Sequence, residues 1–125
     1  MSDWTPATTR LVEIMGHTAR GPKREGVYAV WLVVRAAETQ LLDPPAAPKS
    51  RGRQLEGIKH RLATLTLPAP VRRAVATSLS LLAEDTPDAA ASALHQLTAP
   101  ARESLGHEVA DALGHAIRAA KGPRQ

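Results

Sequence analysis

Gly26-Val27-Tyr28-Ala29-Val30-Trp31-Leu32-Val33-Val34-Arg35-Ala36-Ala37-Glu38-Thr39-Gln40-Leu41-Leu42-Asp43 is the most apolar segment of the chain, and its conformation decides the fold. Its first half, VYAVWLVV, is rich in β-branched and aromatic residues that would suit a buried strand. On a helical wheel, however, apolar residues surround the axis from Val27 to Val34 and then narrow to Val34, Ala37 and Leu41, the pattern of a central helix entering a core. A strand also needs a partner, and the only other candidate, Ala63-Thr64-Leu65-Thr66-Leu67, is short. The segment therefore reads as a helix, and the fold class follows from it.

Working outward, threonine beside proline marks helix starts at Thr5-Pro6, Thr86-Pro87 and Thr98-Ala99-Pro100, where a hydroxyl caps the first turn and the missing proline N–H costs nothing. A first helix is expected from Pro6 to Met15 or slightly beyond, followed by a basic loop, Arg20-Gly21-Pro22-Lys23-Arg24-Glu25-Gly26. After the apolar segment, Asp43-Pro44-Pro45-Ala46-Ala47-Pro48 reads as a stiff extended linker. Residues 43–52 would then separate an N-terminal helical pair from a C-terminal bundle. Leu55, Ile58, Leu62 and Leu65 recur at helical spacing, as do Val71, Val75, Leu79 and Leu82 between Pro70 and Glu84. A short helix is expected over Pro87–Leu97, and a last one over Pro100–Lys121 with Leu105, Val109, Ala112, Leu113, Ala116, Ile117 and Ala120 on one face. The whole reads as a single all-α domain over 1–125, a bundle of five to six helices with short connections.

At 125 residues the chain is long enough to bury a core without help from metals or disulfides, and it has no cysteine to make the latter. The N-terminus lacks a secretory pattern, and the apolar run Val27–Val34 is far shorter than a membrane span, so a cytoplasmic location with no membrane contact is expected. The core has no Phe, two Trp and one Tyr, with Leu, Val and much Ala in their place. Alanine faces bury little area but allow close approach, and the alanine run of Pro87–Leu97 fits the monomer interior better than an oligomer contact.

The sequence carries only a broken form of one metal-binding pattern. His107-Glu108 begins an H-E-x-x-H string, but Asp111 occupies the second histidine position and Arg118 the third ligand position of the extended form. His107 and Asp111 also fall opposite the apolar face of their helix, as ordinary solvated residues do. No G-x-S-x-G, G-x-G-x-x-G or phosphate-loop pattern occurs, and no cofactor or metal ligand set is expected.

Charge is more informative. The net charge is +4, yet residues 1–73 hold twelve Lys/Arg against six Asp/Glu, whereas 74–125 hold four against six. Such a basic region attracts polyanions through phosphate neutralisation. The densest stretch is Lys49-Ser50-Arg51-Gly52-Arg53-Gln54-Leu55-Glu56-Gly57-Ile58-Lys59-His60-Arg61. With Leu55, Ile58, Leu62 and Leu65 inward, Arg53 and His60 point to solvent, while Arg61 and Lys59 flank the apolar stripe on opposite sides. Arg51 would point inward if helical, so the helix is expected to start after Gly52, leaving Lys49–Gly52 as a mobile, phosphate-reaching arm. The stretch has no interleaved aromatics. Arg72 and Arg73 open the next helix, but Thr77, Ser78 and Ser80 offer little for reading bases, so backbone contact is expected over sequence recognition.

The expectation is a non-enzymatic binding protein that contacts nucleic acid, or a nucleoprotein assembly, through Lys49, Arg51, Arg53, Lys59, Arg61, Arg72 and Arg73, with Lys23 and Arg24 as a second group. The alternative is a helical protein–protein module, a homo-oligomer or scaffold subunit without nucleic-acid binding. A small-molecule pocket near Tyr28 and Trp31 is a third possibility.

Overall fold

The computed structural model describes residues 5–42, 48–84 and 88–121. Among them are six helices and no strand: α1 (Pro6–Gly16), α2 (Pro22–Leu42), α3 (Pro48–Ala63), α4 (Ala69–Ala83), α5 (Ala89–Leu105) and α6 (His107–Lys121). The apolar segment is helical, as its wheel predicts. It lies at the centre of an all-α bundle, and α2 touches each of the other five helices. Val27, Ala29, Val30, Val33 and Val34 are wholly buried. That is how a helix apolar on all sides finds cover. Gly26 lets α5 approach: a Cβ there would lie 2.6 Å from Leu105 Cδ2, so the glycine preserves close contact between the two helices.

The alanine run lies inside the bundle. Ala89, Ala90 and Ala93 of α5 are buried, and α5 packs on α2, α4 and α6. Small side chains bring α4 near enough for Ser78 Oγ to donate to Ala93 O at 2.7 Å. Ser78 is therefore an interior tie and cannot serve as the surface contact that its place in the sequence suggested.

Three boundaries differ from the sequence reading. First, α2 starts at Pro22, so Lys23 and Arg24 sit in a helical first turn and not in a loop. Proline is pre-set for that position, and Glu25 in the same turn complements the helix dipole. Second, α3 starts at Pro48 by the same proline logic, so the expected arm Lys49–Gly52 is helical backbone. The rest of the expected linker, 43–47, lies outside the described residues, as does the expected start at Thr86-Pro87. Third, Pro100 does not start a helix but lies within α5. Its ring removes one backbone donor, yet the buried row Leu94, Leu97, Ala101 and Leu105 continues through it. Packing outweighs the lost bond.

The break between α5 and α6 comes at Gly106, with φ 108° and ψ 170°. This is a region open essentially to glycine alone. Its N–H donates to Ala101 O at 3.0 Å, closing the end of α5. Beyond it, Val109, Ala112, Leu113, Ala116 and Ile117 form the buried face of α6.

The Thr5 start is confirmed and does more than cap. Thr5 Oγ1 accepts from the Thr8 N–H at 3.3 Å and donates to Glu38 Oε2 at 2.6 Å. Glu38 is only 6% exposed. Burial pushes its carboxyl above the ordinary value, while the Thr5 hydroxyl and the Arg35 charge pull it back. The folded chain therefore holds this proton more tightly than the unfolded chain. The associated stability is fully present below the unfolded value and is lost as pH rises through the folded one.

Two outcomes follow from this packing. Gly106→Ala meets no neighbour, so its cost is backbone strain of about 1–3 kcal/mol, read by urea unfolding. Glu38→Gln keeps an acceptor for Thr5 without a charge. Its Tm advantage over the parent chain is expected to widen as pH rises from 4.5 towards neutrality.

Candidate nucleic-acid interface

Among the described residues α3 is the least embedded helix and touches only α2 and α4. Leu55 and Ile58 are buried beneath it, which fixes its rotation and sends its flanking cations to opposite sides. Arg61 falls on the α2 side, where its Nη1 donates to Tyr28 Oη at 3.2 Å. Lys59 falls on the α4 side, lining a groove together with Arg72. The sequence wheel anticipates this division, and the structure gives each side its neighbour.

On the α2 side, two depressions adjoin at the Arg61–Tyr28 contact. One, of about 260 Å³, lies between α2 and α3 and is lined by Arg35, Arg53 and Arg61 over a floor that includes Leu32, Ala36 and Ile58. The other, of about 430 Å³, lies at the start of α2 and is lined by Arg20, Arg24, Glu25 and Tyr28 beside Met15. Arg24, Tyr28, Trp31 and Arg35 follow one another along α2 at spacings of four, three and four, so they share one face of the helix. Tyr28 and Trp31 are half-buried and stacked, with ring centroids 6.0 Å apart and planes 15° from parallel. The acid in this region, Glu25, is engaged: its Oε1 accepts from the Thr66 N–H, tying α2 to the turn after α3.

The expected site residues thus separate. Arg53 and Arg61 come together with Arg35, and Arg24 lies along the same α2 face. Lys59 and Arg72 share the other groove. Lys59 Nζ lies 3.5 Å from Glu56 Oε2 in an exposed pair, and Arg72 Nη2 donates to Leu67 O at 3.4 Å. Arg73 is exposed on α4, and Lys23 is exposed on the first turn of α2. Lys49 and Arg51 lie in the first turn of α3, with side chains outside the described set. The His107 string is solvent-facing: His107, Glu108, Asp111 and His115 are all exposed, and Glu108 Oε2 lies 3.6 Å from Arg10 Nη2. Among the described residues no three His, Asp or Glu side chains converge on a point. No described helix is long and apolar enough to cross a membrane.

Sequence reasoning passed over Arg20 and Arg35 and assigned Tyr28 and Trp31 to a different kind of site. The missed signal is the spacing Arg24, Tyr28, Trp31, Arg35, a polar and aromatic line along an otherwise apolar helix. No protein-family model matches the chain, and no curated protein or solved structure matches it significantly.

The Glu25 tie supports the region mechanically. Glu25→Ala is expected to cost about 1 kcal/mol and to speed exchange of the Thr66 amide roughly fivefold, as read by hydrogen-exchange NMR.

Proposed function

We propose that the chain is a non-enzymatic binding protein that receives the phosphate backbone of nucleic acid on its α2/α3 face. The observation that carries this reading is the meeting of Arg35, Arg53 and Arg61 around one depression, with Arg20 and Arg24 continuing the positive line past Tyr28. Guanidinium groups are suited to phosphate because their planar forks donate two parallel hydrogen bonds and stay charged at any physiological pH. Several of them spaced along a groove match a polyanion better than an isolated anion, and release of condensed counterions supplies the driving force.

The aromatic pair narrows the reading. The half-buried Tyr28 lines the second depression with Arg20 and Arg24 and accepts from Arg61, and Trp31 stacks on it; an aromatic surface flanked by cations accepts unstacked bases with little regard to their identity. Single-stranded nucleic acid is therefore the preferred ligand, bound with weak sequence preference. Base-specific contact in a major groove is disfavoured, because α2 is the buried centre of the bundle and α4 directs Ser78 inward.

Fluorescence anisotropy with labelled single-stranded and duplex oligonucleotides at several salt concentrations tests this. The expected result is tighter single-strand binding, with the paired charge reversal Arg53→Glu and Arg61→Glu weakening it at least tenfold and flattening the log–log salt dependence by about two. The double reversal Arg102→Glu with Arg118→Glu, at exposed positions on α5 and α6, for which no contact with α3 occurs among the described residues, makes the same change in net charge elsewhere and serves as the control. Equal losses in both variants would reduce the effect to net charge and overturn the site.

A further inference from the structure

The other side of α3 carries a chemically different groove. A groove of about 610 Å³ opens between α3 and α4, with Leu62, Leu65, Leu67, Val75 and Leu79 supplying its apolar lining. Leu67, Val75 and Leu79 are buried at its base, whereas Leu62 and Leu65 remain half-exposed and Ala63 and Ala76 are exposed on its walls. Among the described residues its charged lining consists of Lys59 and Arg72, with no carboxylate side chain. We propose that this groove binds a single-chain amphiphile with an anionic head group, of the long-chain carboxylate class: the tail lies on the leucine and valine lining, and the head group pairs with Arg72 and Lys59.

Three observations select this occupant. The volume lies in the range of small-molecule sites, which are mostly apolar with a few placed polar groups. The α4 wall runs from Arg72 to Ser80, about 12 Å at the helical rise, which suits an alkyl chain and leaves a bound helix of ordinary length projecting past it. Charge complementarity sets the head group, since both lining charges are positive. The cations are accessible to it: the Lys59–Glu56 pair is exposed and exchanges readily, and the contact of Arg72 with Leu67 O uses one of its several donors. The site is separate from the arginine depressions, which open on the other side of α3, so it stands or falls independently of nucleic-acid binding.

The test uses the full chain and 11-(dansylamino)undecanoate, whose emission rises and shifts to the blue in an apolar site. Saturable 1:1 binding is expected, displaced by decanoate and at least tenfold less well by 1-decanol. Lys59→Glu with Arg72→Glu is expected to weaken the probe at least tenfold, and Ala76→Trp, which fills the groove from an exposed position, to abolish binding. Arg53→Glu with Arg61→Glu should leave it unchanged. Circular dichroism confirms that each variant folds, and Ala63→Trp on the facing wall replaces Ala76→Trp if that variant does not. Absence of saturable binding, equal displacement by decanol, or indifference to both tryptophan variants overturns the proposal. Tighter groove-dependent binding of an acidic amphipathic peptide, or a dimer that Ala76→Trp dissociates, also overturns it and assigns the groove to a helical partner or a second copy.

Discussion

Burial of Val27, Ala29, Val30, Leu32, Val33 and Val34 around most of the circumference of α2 is the constraint to which the rest of the molecule answers. A helix with apolar residues around its whole circumference cannot rest on a single neighbour; it requires a ring of them, and α2 is touched by all five other helices. Because the chain has no phenylalanine, the ring must close with Leu, Val and Ala, and close approach replaces side-chain bulk. Gly26 beneath Leu105, the alanines of α5 against α4, and the Ser78 to Ala93 tie all serve that approach. The same demand explains why α5 runs through Pro100: ending there would break the row from Leu94 to Leu105 that covers the centre.

The polar face of α2 is the complement of this constraint. Along one face the apolar circumference is interrupted by Arg24, Tyr28, Trp31 and Arg35, and Glu38 follows one turn beyond Arg35. Glu38 is held inside by the cap of α1, while the arginine and aromatic line remains accessible because α3, which flanks it, is attached among the described residues only to α2 and α4. A lightly held helix thus leaves open depressions on both its sides, cationic and aromatic towards α2, cationic and leucine-rich towards α4.

Much of this was legible in the sequence, and the failures have physical causes. Periodicity identified the helical class and the α6 face because long apolar rows dominate the energetics of those elements. The splitting of Arg61 from Lys59 was legible because both angles are measured from the same leucine stripe. Boundaries at proline were harder: a proline at N1 and a proline tolerated inside a helix look alike locally, and burial on either side of Pro100 decides between them. Lys23, Arg24, Lys49 and Arg51 look like loop or arm in the sequence because charge and glycine resemble irregular structure, and the initiating prolines at 22 and 48 outweigh that resemblance. The partners of Arg61 lay beyond reach, since Tyr28 is 33 residues away and only tertiary packing brings α3 beside α2.

Gly106 gives the junction of α5 and α6 a further property. Two long helices meet through one residue, so the rotational phase of α6 is set by a single pair of backbone dihedrals. One residue added or removed there would turn the following helix by about 100°. That phase error would carry Val109 and Leu113 away from the core and swing the exposed edge of His107 and Asp111 towards it. The C-terminal helix thus tolerates exchange of its surface side chains far better than any change in chain length at this junction.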